Sequence, residues 1–289
     1  MKIKSLDFRA NEGHAVNLKK WPTAIAPVYK SEKDYAAMLA EHVDRLSKLQ
    51  SRLYATGQYA MLLIFQALDT AGKDGAIKHV MSGVNPQGCE VFGFKQPSAE
   101  ELRHDFLWRA ARNLPERGRI GIFNRSYYES VLVVRVHPEL LAAEHVPGLP
   151  RDLEQIWHSR YRSIVDLERH LHENGTRIVK IYLHLSEEEQ RKRLLARIDD
   201  PAKNWKFSEA DIAERPYWKD YRAAYEDCLA ATSTVQAPWY VVPADDKENA
   251  RLIVSQIVVD TLEALDLHYP EADAAKKREL QAIRKKLAT

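Results

Sequence analysis

The chain has almost no cysteine: Cys89 and Cys228 are the only two in 289 residues. That excludes a disulfide scaffold and a cysteine-based zinc site. No apolar run reaches the length of a membrane span, so no membrane partner is expected. The amino-terminal Met1–Ser5 lacks the apolar stretch of a signal peptide, which gives an expectation of a reducing, cytoplasmic compartment. Net charge is also scarce, at a formal +2. The whole molecule is therefore no electrostatic magnet for nucleic acid, and anion binding must come from local clusters. Internal repeats and low-complexity segments are missing. His79, His104, His137, His158, His170, His172 and His184 form no metal-type spacing with cysteine and read as structural or surface residues. What remains is a water-compatible chain, 45% hydrophobic and 29% charged, suited to one large α/β domain.

The most informative stretch is Phe65–Gly75. An apolar run, Ala60-Met61-Leu62-Leu63-Ile64, leads into Asp69-Thr70-Ala71-Gly72-Lys73-Asp74-Gly75. A helical pattern follows at Ala76, Ile77, Val80, Met81 and Val84. Strand, small-residue loop with Gly-Lys, then helix is the layout of a Walker A phosphate loop. Its backbone N–H groups and the helix start create an anion site. Ala71, Gly72, Asp74 and Gly75 are candidate phosphate-binding positions, and Lys73 supplies the charge. Ala67 stands where the motif has its first glycine. Asp74 stands where it has Ser or Thr, so the usual hydroxyl ligand for Mg²⁺ is missing. Asp69 is the spare carboxylate that can take over the metal work.

Periodicity predicts a long amphipathic helix after the Ser31–Asp34 capping box, ending at Gly57. Strands are predicted near 59–66, 90–94, 119–123, 177–184 and 239–242, each followed by helix. Helices are predicted at 75–84, from Ser98 to before Pro115, at 126–136, at 151–173 and at 247–265. That alternation predicts a five-stranded parallel sheet covered on both faces, with ligands beyond the carboxyl ends of its strands. The expected organisation is an N-terminal arm and helix (1–57), a core (58–270) with a lid inserted at about 191–225, and a charged C-terminal helix (271–289).

Two further clusters belong to that sheet edge. Asn124-Arg125-Ser126-Tyr127-Tyr128-Glu129 follows the third strand, where phosphate-loop enzymes place a metal-holding acid. Here the position is an amide, Asn124. Arg125 offers a two-pronged phosphate contact, and Glu129 lies on the next helical turn. Residues 191–222 carry nine cations against six anions. Arg193 and Arg197 share one helix face there, Asp200-Pro201 ends the helix, Lys203 and Lys206 sit in the link, and Ser208–Asp211 caps the next helix. This suits a lid that closes on phosphates.

With those clusters in view, the chain resembles the second polyphosphate kinase family, nucleotide phosphotransferases on a phosphate-loop fold related to thymidylate kinase. The segments that carry the likeness are 69–75, 124–129 and 197–208, with His104-Asp105-Phe106-Leu107-Trp108-Arg109 beside them. The resemblance implies a three-layer α/β/α phosphate-loop kinase fold. It implies reversible transfer of a terminal phosphoryl group from inorganic polyphosphate to AMP or ADP, with Mg²⁺, or Mn²⁺ in its place, and a homo-oligomer, dimer or tetramer. Guanine nucleotides are the other acceptors it admits. By position it assigns catalysis to Asp69, Lys73, Arg125 and Arg197. The residues themselves add Arg193, Lys203 and Lys206 as spaced cations for a polyanion, Asn124 and Glu129 as further substrate contacts, and Asp69 and Glu129 as candidate metal holders. The Asn124/Glu129 pairing resembles the branch that uses both nucleoside mono- and diphosphates. The competing readings are an ATP-dependent nucleoside monophosphate kinase of the thymidylate type and a phosphate-sensing module without turnover.

Overall fold

The most apolar strand of the chain is also the most central. In the computed structural model, which describes residues 3–288 and leaves the Lys206 side chain outside the description, every residue of strand Ala60–Gln66 is buried. Six strands form one sheet: β1 (Arg9–Ala10), β2 (Ala60–Gln66), β3 (Cys89–Gly93), β4 (Ile120–Asn124), β5 (Thr176–His184) and β6 (Trp239–Pro243). Their order is β1-β6-β5-β2-β4-β3. All neighbours are parallel except β1, which pairs antiparallel with β6. The five parallel strands are those expected from periodicity. The sixth comes from the arm and was not foreseen. It is two residues long, too short for any alternation, and is fixed by the Ser233 hydroxyl donating to the Ala10 carbonyl at 2.6 Å.

The helices are α1 (Glu32–Thr56), α2 (Lys73–Val80), α3 (Trp108–Ala111), α4 (Glu129–Val136), α5 (Leu153–Glu173), α6 (Glu187–Asp199), α7 (Glu209–Ala213), α8 (Trp218–Thr232), α9 (Lys247–Glu263) and α10 (Ala274–Leu287). One face of the sheet is covered by α1, α2 and α9, through Leu46, Leu53, Ile77, Val80, Leu252 and Val259. The other is covered by α4, α5 and α8, through Val131, Trp157, Ile164 and Leu229. Three layers with buried strands are what a parallel sheet needs. Helix α1 shares its core with the sheet itself: Leu46, Leu49 and Leu53 join Leu63 and Val179 in one cluster.

Two predicted helices are shorter than their patterns. The Ser98–Glu101 capping box does form: Ser98 N–H donates to Glu101 at 2.7 Å and Glu101 N–H to the Ser98 hydroxyl at 3.2 Å. Only one 3₁₀ turn follows, because Asp105 accepts from the Leu107 N–H at 2.9 Å and restarts the chain as α3. Such side-chain competition for backbone N–H is how Asp breaks helices. Likewise α2 begins at Lys73 and ends at Val80, although Val84 in the following turn stays in the core.

A fully buried ionic cluster ties the layers together behind the sheet edge. Lys180 on β5 meets Glu168 on α5 at 2.5 Å and donates to the Thr232 carbonyl at 2.7 Å. Glu168 also accepts from the Tyr127 and Tyr128 hydroxyls, both at 2.8 Å. Those tyrosines belong to the segment that follows β4, so the cluster holds that segment in place. Burial pushes both phenols well above their ordinary range.

Candidate active site

Register places the two polar loops side by side. Phe65 of β2 pairs with Asn124 of β4, so the chain leaves both strands at the same edge. Arg125 N–H then donates to the Phe65 carbonyl at 3.0 Å. Both loops turn through left-handed backbone: Thr70 has φ 65°, Gly72 φ 102° and Arg125 φ 64°. Gly72 takes this at no steric cost. Thr70 and Arg125 do not, and such strain persists where the surroundings fix it, at functional loops above all.

Lys73 opens α2 and curls back over its own loop, with Nζ donating to the Ala67 carbonyl at 2.8 Å. It is 9% exposed. Burial lowers its pKa, the Arg125 charge lowers it further, and Asp69, Glu129 and Asp74 oppose both. Arg125 stands between two carboxylates, 2.7 Å from Asp69 and 3.0 Å from Glu129. Glu129, with Asp69 behind it, holds the Arg125 guanidinium charged. Glu129 is fixed from its other oxygen by the buried Gln66 amide at 2.7 Å. Asn124 donates across the loops to Asp74 at 2.7 Å. The unusual residues of both motifs are thus each other's partners.

These groups open onto a cleft of about 810 Å³. Asp69, Ala71, Gly72, Lys73, Asp74, Gly75, Asn124, Arg125, Arg193, Arg197 and Lys203 all line it. Eight cations face it against two carboxylates, Asp69 and Asp74, which makes it a strong anion trap. Glu129 lies elsewhere. It lines a smaller adjoining pocket of about 40 Å³ beside α7 and α8, together with Asp69, Arg125, Asp211 and Tyr221.

Arg193 does a different job from the one expected of it. It is 8% exposed and makes five hydrogen bonds to the protein: Glu189 at 2.9 Å, the Thr70 and Ala71 carbonyls at 3.2 and 3.1 Å, and the Ala244 and Asp245 carbonyls at 2.7 and 2.9 Å. A guanidinium has no further N–H to give. Arg193 therefore clamps the phosphate loop to the segment after β6 and leaves no donor for a ligand. Arg197 keeps most of its donors, touching only Asp211 at 3.3 Å. Lys203 is largely exposed beside Asp200. Lys206 is the one candidate whose side chain lies outside the described residues.

Five contributors were missed. Lys95, just beyond β3, and Lys247 and Arg251, just beyond β6, line the cleft. The strand-end rule applied to every strand would have found the first two. Gln66 carried no signal, since a polar residue closing a buried strand has many explanations. Asp211 was read only as part of a helix cap. The Ser208 hydroxyl in fact accepts from Ala210, and the Asp211 carboxylate turns to Arg197. Burial and the nearby Asp69 charge raise its pKa.

The donor set suits a hard cation. Asp69 presents a carboxylate one-third exposed on the cleft. No group of three His, Cys, Asp or Glu side chains converges as a ready-made cage among the described residues, and Arg125 separates Asp69 from Glu129. Mg²⁺ commonly takes only one or two carboxylates and fills its shell with water and substrate phosphate, so Asp69 fits such an ion.

Comparison with known proteins bears on the same region. Residues 29–270 match the family described as Polyphosphate kinase 2. The chain is 62% identical over 287 residues to an ADP-polyphosphate phosphotransferase of Rhodopseudomonas palustris, covering 99% of both chains. It is 46% identical over 234 residues to an AMP/ADP-polyphosphate phosphotransferase of Meiothermus ruber, covering 81% of this chain and 83% of that one. The crystal structure of Polyphosphate Kinase 2 from Arthrobacter aurescens superposes with a TM-score of 0.84 at 42% identity, over 96% of this chain and 95% of that one.

Proposed function

Because the chain belongs to the Polyphosphate kinase 2 family, we infer that its cleft moves the terminal phosphoryl group of inorganic polyphosphate onto AMP or ADP, reversibly. The observation that carries the reading is the joint between the two strand-end loops. Arg125 reaches Asp69 at 2.7 Å from one loop to the other, on the wall of a cleft lined by eight cations. The names borne by the relatives favour polyphosphate as donor over ATP, and transfer over mere sensing.

Phosphoryl transfer asks little covalent chemistry of a protein and much alignment and charge compensation. The acceptor oxygen belongs to a phosphate that is already largely ionised near neutrality, so no general base is required. No histidine lines the cleft among the described residues. In the mechanism we propose, loop N–H groups from Ala71 to Gly75 and the start of α2 orient the phosphates. Lys73, Arg125 and Arg197 compensate charge as it spreads over the transferring group. Glu129 holds Arg125 at the acceptor side, and Lys203 meets the donor chain. Asp69 would hold a divalent ion, Mg²⁺ with Mn²⁺ as substitute, and that ion would supply neutralisation of phosphate oxygens. Closing of the lid at about 191–225 excludes water from the reacting group. We further propose a catalytic core at 58–270 flanked by α1 and α10, cytoplasmic action, and a homo-oligomer. Among the described residues no helix is long and apolar enough to cross a membrane.

The test is a donor swap with purified protein. Polyphosphate as sole donor should yield ADP from AMP and ATP from ADP. Turnover with ATP as donor and none with polyphosphate would overturn the reading.

A further inference from the structure

The terminal helix α10 stands apart from the two apolar cores. It is 14 residues long and buries none of them. It also lies beyond residues 29–270, where the family match ends. Six of its residues are Lys or Arg (Lys276, Lys277, Arg278, Arg284, Lys285, Lys286) against a single acid, Glu279. At helical spacing Lys277, Arg278, Gln281, Arg284 and Lys285 fall on one stripe. A shallow groove runs along it, lined by Lys277, Arg278, Gln281, Ala282 and Lys285. The acid is paired at 2.9 Å with Lys276, outside that stripe, so the stripe carries four cations, one neutral amide and no acid. The opposite stripe is apolar but small: Leu280, Ile283 and Leu287.

We infer that this stripe is a second binding site for the donor, holding a distant segment of the same polyphosphate chain whose end occupies the cleft. The inference rests on the phosphotransferase reading above and adds a site to it. A linear polyanion has one charge per phosphate and no other recognisable feature, and a row of cations with no acidic partner among the described residues is its complement. Release of condensed counterions gives such contacts their affinity. Once one segment is held, the second contact is intramolecular, and apparent affinity rises without any new chemistry. Only chains long enough to reach both places benefit. A lipid surface fits less well, because the apolar stripe has three side chains and no aromatic. A second copy of α10 would bring like charge against like charge.

The test uses the full chain carrying Lys277→Gln, Arg278→Gln, Arg284→Gln and Lys285→Gln together. For polyphosphate of about 100 phosphates, KM should rise about 5- to 10-fold with kcat unchanged. For oligomers of about six phosphates neither constant should move, and their continued use shows that the transfer reaction itself is intact. The slope of log KM against log salt for long chains should become shallower by about 2 to 3. An unchanged KM for long chains overturns the inference, as does an equal rise for short ones. A control, Leu280→Gln with Ile283→Gln, keeps the charge and should leave the long-chain KM alone. If it raises that KM together with a change in sedimentation, the helix acts through subunit packing and the inference fails.

Discussion

The phosphate loop and the lid both line one cleft, yet they are built in opposite ways. The loop is fixed at several points. Lys73 is back-bonded to Ala67, Arg193 ties Thr70 and Ala71 to the segment after β6, and Gln190 of α6 reaches the Asp69 carbonyl at 3.2 Å. The lid beyond α6 is loosely held. Trp205 and Ile212 are exposed, and Lys203 keeps two-thirds of its side chain in solvent. Pre-organised donors cost no rearrangement at the moment of transfer, whereas a closing element must be easy to move. The proposed mechanism would draw rate from the fixed loop together with Arg197 on α6, and capture of the donor from the link that carries Lys203. Arg193 starts on the lid's first helix but serves the loop.

Breaking the fixed side should cost most. Lys73→Ala removes a charge from the transferring phosphate, and we expect kcat to fall by about 1,000-fold or more; a near-normal kcat would show that the loop is only a turn. Arg193→Ala leaves four loop and strand-end carbonyls short of a donor. We expect a loss of about 3 kcal/mol in denaturant melts together with a drop in kcat. A drop in activity at full stability would return Arg193 to direct ligand contact. Lys180→Met leaves Glu168 buried and uncompensated, costing about 3–5 kcal/mol, while KM for both substrates should stay near wild type. On the lid, Lys203→Ala should raise KM for polyphosphate only about 2- to 5-fold, with kcat retained. Glu129→Asn sharpens the comparison on the acceptor side: AMP use should fall selectively, and an unchanged AMP/ADP ratio would count against that role.

The smallest effect concerns pH. Burial lowers the pKa of His42 and of His184. A neutral histidine favoured by the fold contributes stability above the ordinary value near 6.5, and loses it as the pH falls below that value and the unfolded chain takes up the proton. Melting temperature should therefore decline from about pH 6.5 downward, and His42→Asn should flatten that decline.

What the sequence made legible follows from locality. Strand runs, the Ser31 cap, the Ser98–Glu101 capping box and the Gly-Lys loop are short-range signals, and each forms. The topology placed Asp69, Lys73, Asn124 and Arg125 on one edge before any coordinates. Illegible were facts settled by partners far along the chain. Arg193 and Arg197 look alike on one helix face, and only the carbonyls of Thr70, Ala71, Ala244 and Asp245 separate a saturated clamp from a cation that keeps donors to give. Asp211 resembles a capping residue until Arg197 is seen beside it. The arm strand depends on a hydroxyl more than two hundred residues away.

The central claim is that loop and lid act on one transferring phosphate, and a double-mutant cycle tests it directly. ATP formation from ADP and polyphosphate should be measured for Arg125→Ala, Arg197→Ala and the pair. Side chains serving one transition state are coupled, so the double variant should lose far less than the product of the single losses. Fully multiplicative losses would mean that the two arginines work in separate places, and the account would be wrong.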